Sequence, residues 1–261
     1  MTQETKDLLK NLADQFETES FCYEDPSQFL RWYNPQTNQK DAEYASFIAA
    51  MLSFGSRSQF IPKIKQILLL ADKKNGISDW ISEEKYINDF PHGEKKFYRF
   101  YSYDDMQSFF RGLSLLHKNF GSLESAVRHI LEKEKCELYE TFAFLFSDVK
   151  IVPKGKNSAN KRIHMFLRWM VRQNSCVDLG LWNWFPAEKL LIPLDVHVME
   201  EGKKLNLIPQ NAGASLKTAK MLTENLRQIW PDDPVKGDFA LFGIGVMPQG
   251  QTLLNEPQGQ T

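Results

Sequence analysis

The chain has 261 residues, 42% of them apolar and 25% charged, with a formal net charge of −1. These values are ordinary for a globular protein of one large domain or two interleaved lobes. No apolar run approaches the roughly 20 residues that a membrane-spanning helix needs, and the first residues are rich in acids. We therefore expect neither a membrane partner nor a signal peptide.

The three cysteines, Cys22, Cys136 and Cys176, lie far apart and form no Cys-x-x-Cys pair. This number and spacing argue against a zinc or iron–sulfur site and favour reduced thiols in the cytoplasm. We expect a cytoplasmic monomer that uses no metal and no cofactor.

Helical periodicity dominates the chain and predicts an all-α fold. Asp41 is placed to cap a helix whose apolar stripe, from Tyr44 to Leu52, has the spacing i, i+3, i+4, i+7, i+8. A second helix should start near Ser58, with Pro62 in its first turn. No segment shows the sustained alternation of a strand. The other predicted helices cover residues 103–120, 122–131, 137–146, 161–172, 195–205 and 215–230, and the tail 248–261 should be disordered.

Lys161 and Asp195 are the candidate catalytic pair. Lys161 opens a helix after a turn with Gly155, where the helix dipole and the neighbouring Arg162 both favour an uncharged, nucleophilic amine. Such an amine can form a Schiff base with a sugar carbon, and a carboxylate beside the sugar can stabilise its developing positive charge. The alternatives are a solvated lysine and an aspartate that only caps the following helix.

The segment from Lys150 to Arg172 carries seven positive charges and no negative one. A net charge near zero argues mildly against nucleic-acid binding, but this run is a local basic patch. Its turn and helix start could hold a phosphate, with candidate contacts from Lys154, Gly155, Lys156, Asn157, Ser158 and Arg162. The alternative is a solvated surface loop, and the sequence does not separate the two.

Two further segments carry candidate contacts to DNA. The junction Leu52–Gln59 presents Ser53, Arg57 and Gln59, which could enter the gap left by an extruded base; the alternative, slightly favoured, is an ordinary helix–helix turn. Residues 178–193 are aromatic, and a base could stack there, although such residues more often fill the core. The candidate base pocket is Trp182, Trp184, His197 and Arg168, and His197 is alternatively a structural histidine.

In chain order, these segments resemble the helix-hairpin-helix DNA glycosylases, which include endonuclease III and the 8-oxoguanine glycosylases. The opening D-A-E-Y-A-S-F-I-A-A-M-L-S-F-G-S-R-S-Q is similar to the first barrel helix and the base-side loop of that superfamily. The segment I-P-L-D-V-H-V resembles its V-D-x-H-V motif, and D-F-A-L-F-G-I-G-V resembles its closing helix. The segment K-R-I-H-M-F-L-R-W-M-V-R, taken with P-L-D-V-H-V, also resembles a bacterial family of unknown function on the same plan.

The resemblance implies two interleaved helical lobes with a cleft between them. Residues 41–172 would form a central barrel lobe, and residues 1–40 with 173–247 would form the second lobe. Asp195 would be the catalytic aspartate, and Lys161 the nucleophilic lysine. The implied function is a DNA base-excision repair glycosylase that acts on a duplex with a damaged base, with AP-lyase activity through a Schiff base on the lysine.

Three features depart from the family pattern. The usual hairpin L-P-G-x-G is replaced by V-P-K-G-K-N-S-A-N, with one glycine where two are expected. The gap from Lys161 to Asp195, 195 − 161 = 34, is wider than in endonuclease III, and the iron–sulfur cysteines are missing. Two alternatives therefore stay open. One is a non-catalytic nucleic-acid-binding protein on the same fold, and the other is an enzyme that acts on a free nucleoside.

Overall fold

The computed structural model describes residues 1–246, and this part of the chain is predominantly helical. The predicted disordered tail, 248–261, lies outside the described residues. The helices are α1 (Gln3–Phe16), α2 (Gln39–Leu52), α3 (Arg57–Asp72), α4 (Ile77–Ser82), α5 (Tyr86–Asp89), α6 (Tyr103–Phe120), α7 (Leu123–Glu134), α8 (Thr141–Leu145), α9 (Lys161–Val171), α10 (Val196–Lys204), α11 (Leu216–Arg227) and α12 (Gly237–Val246).

The expectation of a helical fold is confirmed, and each helix predicted from periodicity is present within a few residues of its expected bounds. The predicted helix over 137–146 is a 3-10 turn, Leu138–Glu140, followed by the short α8. One short hairpin was not predicted, in which β1 (Lys96–Tyr98) and β2 (Tyr101–Ser102) pair antiparallel. Two or three residues are too few to show an alternating pattern. Helix α1 was not among the predicted helices.

Hydrogen bonds at the helix starts identify the capping residues. Ser122 caps α7, since its hydroxyl accepts from the backbone N–H of Ser125. Helix α2, however, is capped by Asn38, and Asp41 lies inside the helix, where its carboxylate accepts from the N–H of Ser78 at the start of α4. Helix α3 begins at Arg57, so Ser58 does not cap it, and Pro62 lies in its interior.

The buried apolar side chains form two clusters. The larger one surrounds α2 and includes side chains of α3, α4, α6, α7 and α9. The smaller one joins α1, α10, α11 and α12. Helices α1 and α12 approach so closely that a Cβ at Gly243 would lie 2.3 Å from the Phe16 ring, so only glycine fits at this crossing.

The boundaries of the two predicted lobes stay a prediction, but some side chains cross them. Phe29, Leu30 and Trp182, assigned to the second lobe, pack in the larger cluster, whereas Ala159 packs in the smaller one. Helix α9 lies between these parts, and every residue from 163 to 172 is buried. Arg168 and Arg172 of the basic run are therefore buried rather than exposed to solvent.

Over residues 1–246, no helix is both long enough and apolar enough to cross a membrane.

Candidate active site

A cavity of about 820 Å³ opens where the starts of α3, α9, α10 and α12 meet. Side chains from these four helix starts and from the 3-10 turn Glu19–Glu24 line it. The charged residues in its lining are Asp25, Arg57, Lys161, Arg162, Arg168, Asp195 and Asp238. The cavity lining thus carries nearly equal numbers of cations and carboxylates. It is not strongly positive, although the basic run Lys150 to Arg172 suggested a positive surface.

Lys161 and Asp195 lie together at this cavity. The Lys161 Nζ is 4.0 Å from the Asp195 Oδ2, and 32% and 38% of the two side chains are exposed. The amine is also 3.2 Å from the Sδ of Met165, one turn further along α9. Both groups are therefore within reach of a bound molecule, and neither is enclosed by protein.

Asp195 also caps helix α10. Its Oδ1 accepts a hydrogen bond from the backbone N–H of Val198, 3.0 Å away. The other oxygen, Oδ2, faces the amine of Lys161. Capping and a role at the cavity, which the sequence presented as alternatives, are compatible because each uses a different carboxylate oxygen. The cap also fixes the direction in which the second oxygen points.

Asp238, in the first turn of α12, is a cavity residue that the sequence analysis did not select. Its side chain is only 13% exposed, and its Oδ2 accepts a hydrogen bond from Nη1 of Arg168. Burial raises the pKa of Asp238 to about 6, although the Arg168 guanidinium acts in the opposite direction. The segment D-F-A-L-F-G-I-G-V held no signal for this role, because one acid at a helix start is common.

Arg168 lines the cavity but is not the free base-pocket residue that the sequence predicted. Its Nε donates to Asp178, its Nη1 donates to Asp238, and the side chain is 4% exposed. Arg172, one turn further along α9, donates to Asp178, Asp233 and Glu17 over 2.5–3.0 Å. Arg172 is thus held through all three guanidinium nitrogens and Arg168 through Nε and Nη1, so acids fix the position of both side chains.

The basic run Lys150 to Arg172 is largely neutralised in the fold. Lys150 pairs with Asp105, and the amine of Lys154 donates to the carbonyls of Val149 and Val152. Lys154 is thus committed to its own turn and is not a free phosphate ligand. Gly155, Lys156, Asn157 and Ser158 are exposed, and among the described residues Lys156 makes no ion pair.

The guanidinium of Arg162 is also bound by other residues of the protein, so Arg162 is not the free phosphate contact that was predicted. Its guanidinium donates to the carbonyl oxygen of Met51 and to the hydroxyl of Tyr101, and it stacks over Phe54. These contacts attach the start of α9 to the junction that follows α2. Arg162 therefore positions the loop beside the cavity.

The junction between α2 and α3 lies at the cavity rim, but its three selected residues differ. Ser53 is buried, and its hydroxyl donates to the carbonyl of Ala49, so it is not available to DNA. Arg57 lines the cavity, 42% exposed, and forms a 3.5 Å pair with Asp25. Gln59 is exposed but is not among the lining residues. Of the three, Ser53 and Arg57 line the cavity, and Arg57 is the one of these two with an exposed side chain.

The predicted stacking residues Trp182 and Trp184 lie elsewhere. Trp182 is fully buried and donates through its indole N–H to Glu43, while Trp184 packs under the guanidinium of Arg128. They fill the core, which was the alternative interpretation. The aromatic residues that line the cavity are Phe21, Phe54, Phe60, Trp169 and Phe242. They come from distant segments, so no local pattern in the sequence indicates them.

His197 lies at the cavity and is exposed, in contrast to His164 in α9. His164 is 2% exposed, and its Nε2 has no hydrogen-bond partner among the described residues. Burial lowers the pKa of His164 to about 3, so this imidazole is neutral at ordinary pH. It is part of the core and not of the site.

Within residues 1–246, no three His, Cys, Asp or Glu side chains are grouped so that they could hold a metal ion. No curated protein and no solved structure matches the chain. One family model does match, over residues 25–247, and its description is protein of unknown function, DUF2400. Because this match covers most of the sequence, the chain belongs to the DUF2400 family.

Proposed function

We propose that this chain is a DNA glycosylase that removes a damaged base and forms a Schiff base with the sugar through Lys161. The observation that carries the proposal is the approach of the Lys161 amine to the Asp195 carboxylate, 4.0 Å apart at one open cavity. A nucleophilic amine beside a carboxylate is the pair that such chemistry needs. The cavity has room for an extruded nucleotide.

In this reaction the uncharged amine attacks C1′ of the deoxyribose. The bond from C1′ to the base breaks, and the base leaves with the electron pair and takes up a proton. The Asp195 Oδ2 stabilises the positive charge that develops on the sugar as this bond breaks. The attached nitrogen then loses a proton to water, O4′ takes up a proton as the sugar ring opens, and an imine forms between the lysine and C1′. Elimination of the 3′ phosphate from this imine cleaves the strand.

The exposed turn 155–158 and Arg57 at the rim support a DNA partner. The turn directly precedes α9, whose first N–H groups have no side-chain cap, and such helix starts favour phosphate. Lys156 supplies a positive charge there that no acid of the described residues neutralises. A small number of phosphate contacts predicts weak, salt-sensitive binding to duplex DNA.

Reduction with borohydride tests the proposal. The chain is incubated with duplexes that carry an abasic site or an oxidised base, in the presence of sodium borohydride, and covalent adducts are separated on a denaturing gel. We expect an adduct with the natural chain and none with Lys161→Ala. Lys204→Ala is the matched control, because it removes an exposed lysine from the helix that Asp195 caps.

Two outcomes contradict the proposal. An adduct that forms equally with Lys161→Ala would remove this lysine from the chemistry. The absence of any adduct and of any product base on a panel of damaged duplexes would leave the non-catalytic alternative, provided that the duplexes are bound.

The balanced charge of the cavity favours one second candidate, an enzyme that cleaves a free nucleoside. A free nucleoside needs contacts to its sugar and base but no row of cations that binds the phosphates of a duplex. Most cations of the basic run are paired with acids and are therefore not free to bind phosphates. Duplex affinity separates the two functions. Release of base from nucleosides, without measurable binding of duplex DNA, would favour the second candidate.

A further inference from the structure

Beyond Lys161 and Asp195, one acid of the cavity has bonding capacity that the proposed chemistry does not use. Asp238 holds Arg168 with its Oδ2, and among the described residues nothing donates to its Oδ1. The Nε and Nη1 of Arg168 are directed at Asp178 and Asp238, so these two donors are not free for a ligand. The Asp238 Oδ1 is therefore an unused hydrogen-bond acceptor in this part of the wall.

The surroundings of Asp238 suit a flat, partly apolar ligand. Phe21 and Phe242 line the same cavity, with ring centroids 4.9 Å apart and the rings edge to face. Aromatic surfaces pack well against the face of a heterocycle, while a polar group at the edge selects its orientation. Lys161 and Asp195, which act on the sugar, lie at the same cavity.

We propose that Asp238 is a specificity-determining residue that accepts a hydrogen bond from a ring N–H of the extruded base. This inference rests on the proposed function. Deamination and oxidation of bases share one chemical consequence: a ring nitrogen that carried a lone pair gains a hydrogen. Adenine becomes hypoxanthine, cytosine becomes uracil, and guanine becomes 8-oxoguanine in this way.

A carboxylate can discriminate between the two forms of a ring nitrogen. It accepts a hydrogen bond from the N–H of the damaged base, whereas the lone pair of the undamaged base would face an oxygen lone pair and repel it. Burial strengthens both the attraction and the repulsion. The site therefore takes deaminated or oxidised bases in preference to their parent bases.

The test measures binding of duplexes to the Lys161→Ala chain, which cannot turn over the substrate. Three pairs of duplexes are compared: hypoxanthine against adenine, each opposite cytosine; uracil against cytosine, each opposite adenine; and 8-oxoguanine against guanine, each opposite cytosine. In the first two pairs of duplexes, the base with the additional ring N–H, hypoxanthine or uracil, forms a more stable pair with its opposite base than adenine or cytosine does. It therefore costs more free energy to extrude, and this cost opposes the expected preference. We expect tighter binding of the N–H base by about tenfold or more in at least one pair, as for one charge-assisted hydrogen bond.

The preference should disappear when Asp238→Asn is added. The amide would keep its oxygen on Arg168 and turn an N–H donor toward the ring N–H of the base. Asp14→Asn is the matched control, because it makes the same exchange of acid for amide in an ion pair, with Lys236, that lies outside the cavity lining. This control should keep the preference. Urea unfolding of both variants shows that they are folded.

A tetrahydrofuran abasic analogue in the same duplex separates failure of this inference from failure of the proposed function. Tight binding of the analogue, with no base preference in any pair or with a preference that Asp238→Asn leaves unchanged, overturns the inference alone. No binding of any duplex, together with no borohydride adduct, overturns the proposed function and this inference with it.

Discussion

The two ends of helix α9 place cations in opposite settings. At its start, the Lys161 amine lies 4.0 Å from Asp195, and about a third of each side chain is exposed. At its end, the Arg172 guanidinium is 2% exposed and bonds three carboxylates over 2.5–3.0 Å. Lys161 and Arg172 both belong to the basic run Lys150 to Arg172, and the sequence does not show which of the two is exposed and which is buried.

The difference shows how a single helix can serve stability and chemistry. A buried, fully bonded guanidinium leaves no donor for a ligand and is expensive to disrupt. A loose, exposed pair contributes little to stability and keeps its atoms available for a substrate. If this comparison is correct, substitutions at the two ends should separate folding from activity.

The largest expected effect is at the buried end. Arg172→Met would leave Asp178 without one of its two guanidinium partners and should lower the free energy of unfolding by about 3–5 kcal/mol. Urea unfolding measures it. Lys150→Met is the control, because it breaks the exposed pair with Asp105 and should cost less than about 1 kcal/mol. Equal effects of the two substitutions would contradict the comparison.

A smaller effect on the free energy of unfolding is expected from His164, which lies in α9 between Lys161 and Arg172. Its pKa is lowered to about 3 in the folded chain, so below its ordinary value of about 6.5 the unfolded chain binds a proton that the folded chain excludes. The free energy of unfolding should therefore fall as the pH drops. Between pH 6.5 and 5, the natural chain should lose about 2 kcal/mol relative to His164→Leu. Parallel pH profiles for the two chains would show that the histidine titrates normally in the fold.

Beside the exposed start of α9, substitutions of Asp195 can separate its role as the cap of α10 from its role as the carboxylate beside Lys161. Asp195→Ala removes the α10 cap and should cost about 1 kcal/mol of stability, whereas Asp195→Asn keeps a capping side chain and should cost only a few tenths. Both should abolish base release in a glycosylase assay, because neither presents a carboxylate to Lys161. Full activity of Asp195→Asn would show that the residue acts only as a cap.

The smallest effect on stability is expected at Lys156 in the exposed turn. Lys156→Ala should change the free energy of unfolding by less than about 0.5 kcal/mol. If the turn holds a phosphate, the slope of log affinity against log salt concentration should decrease by about one. Titrations of one duplex at several salt concentrations measure this slope, and an unchanged slope would remove the turn from the DNA contact.

Helix positions were predictable because their signals are local. The apolar spacing of α2, α6 and α11 and the cap at Ser122 depend on residues within a few positions of one another. The hairpin β1–β2 is too short for such a signal. Helix α1 has the apolar spacing of an amphipathic helix, but it is not among the helices predicted from the sequence. The sequence also indicated Lys161 and Asp195 as a candidate pair, but the distance between their side chains depends on the tertiary structure.

Residue order and local spacing establish the class of fold, most helix bounds and the residue types available for chemistry. The tertiary structure decided which charges are neutralised: acids from residues 17 to 238 meet the basic run of α9, although none lies within that run. It also decided that Asp238 and five separate aromatic residues line the cavity in place of Trp182 and Trp184. The physical reason is that pairing and burial depend on distances in space between residues far apart in the chain, which local spacing does not encode.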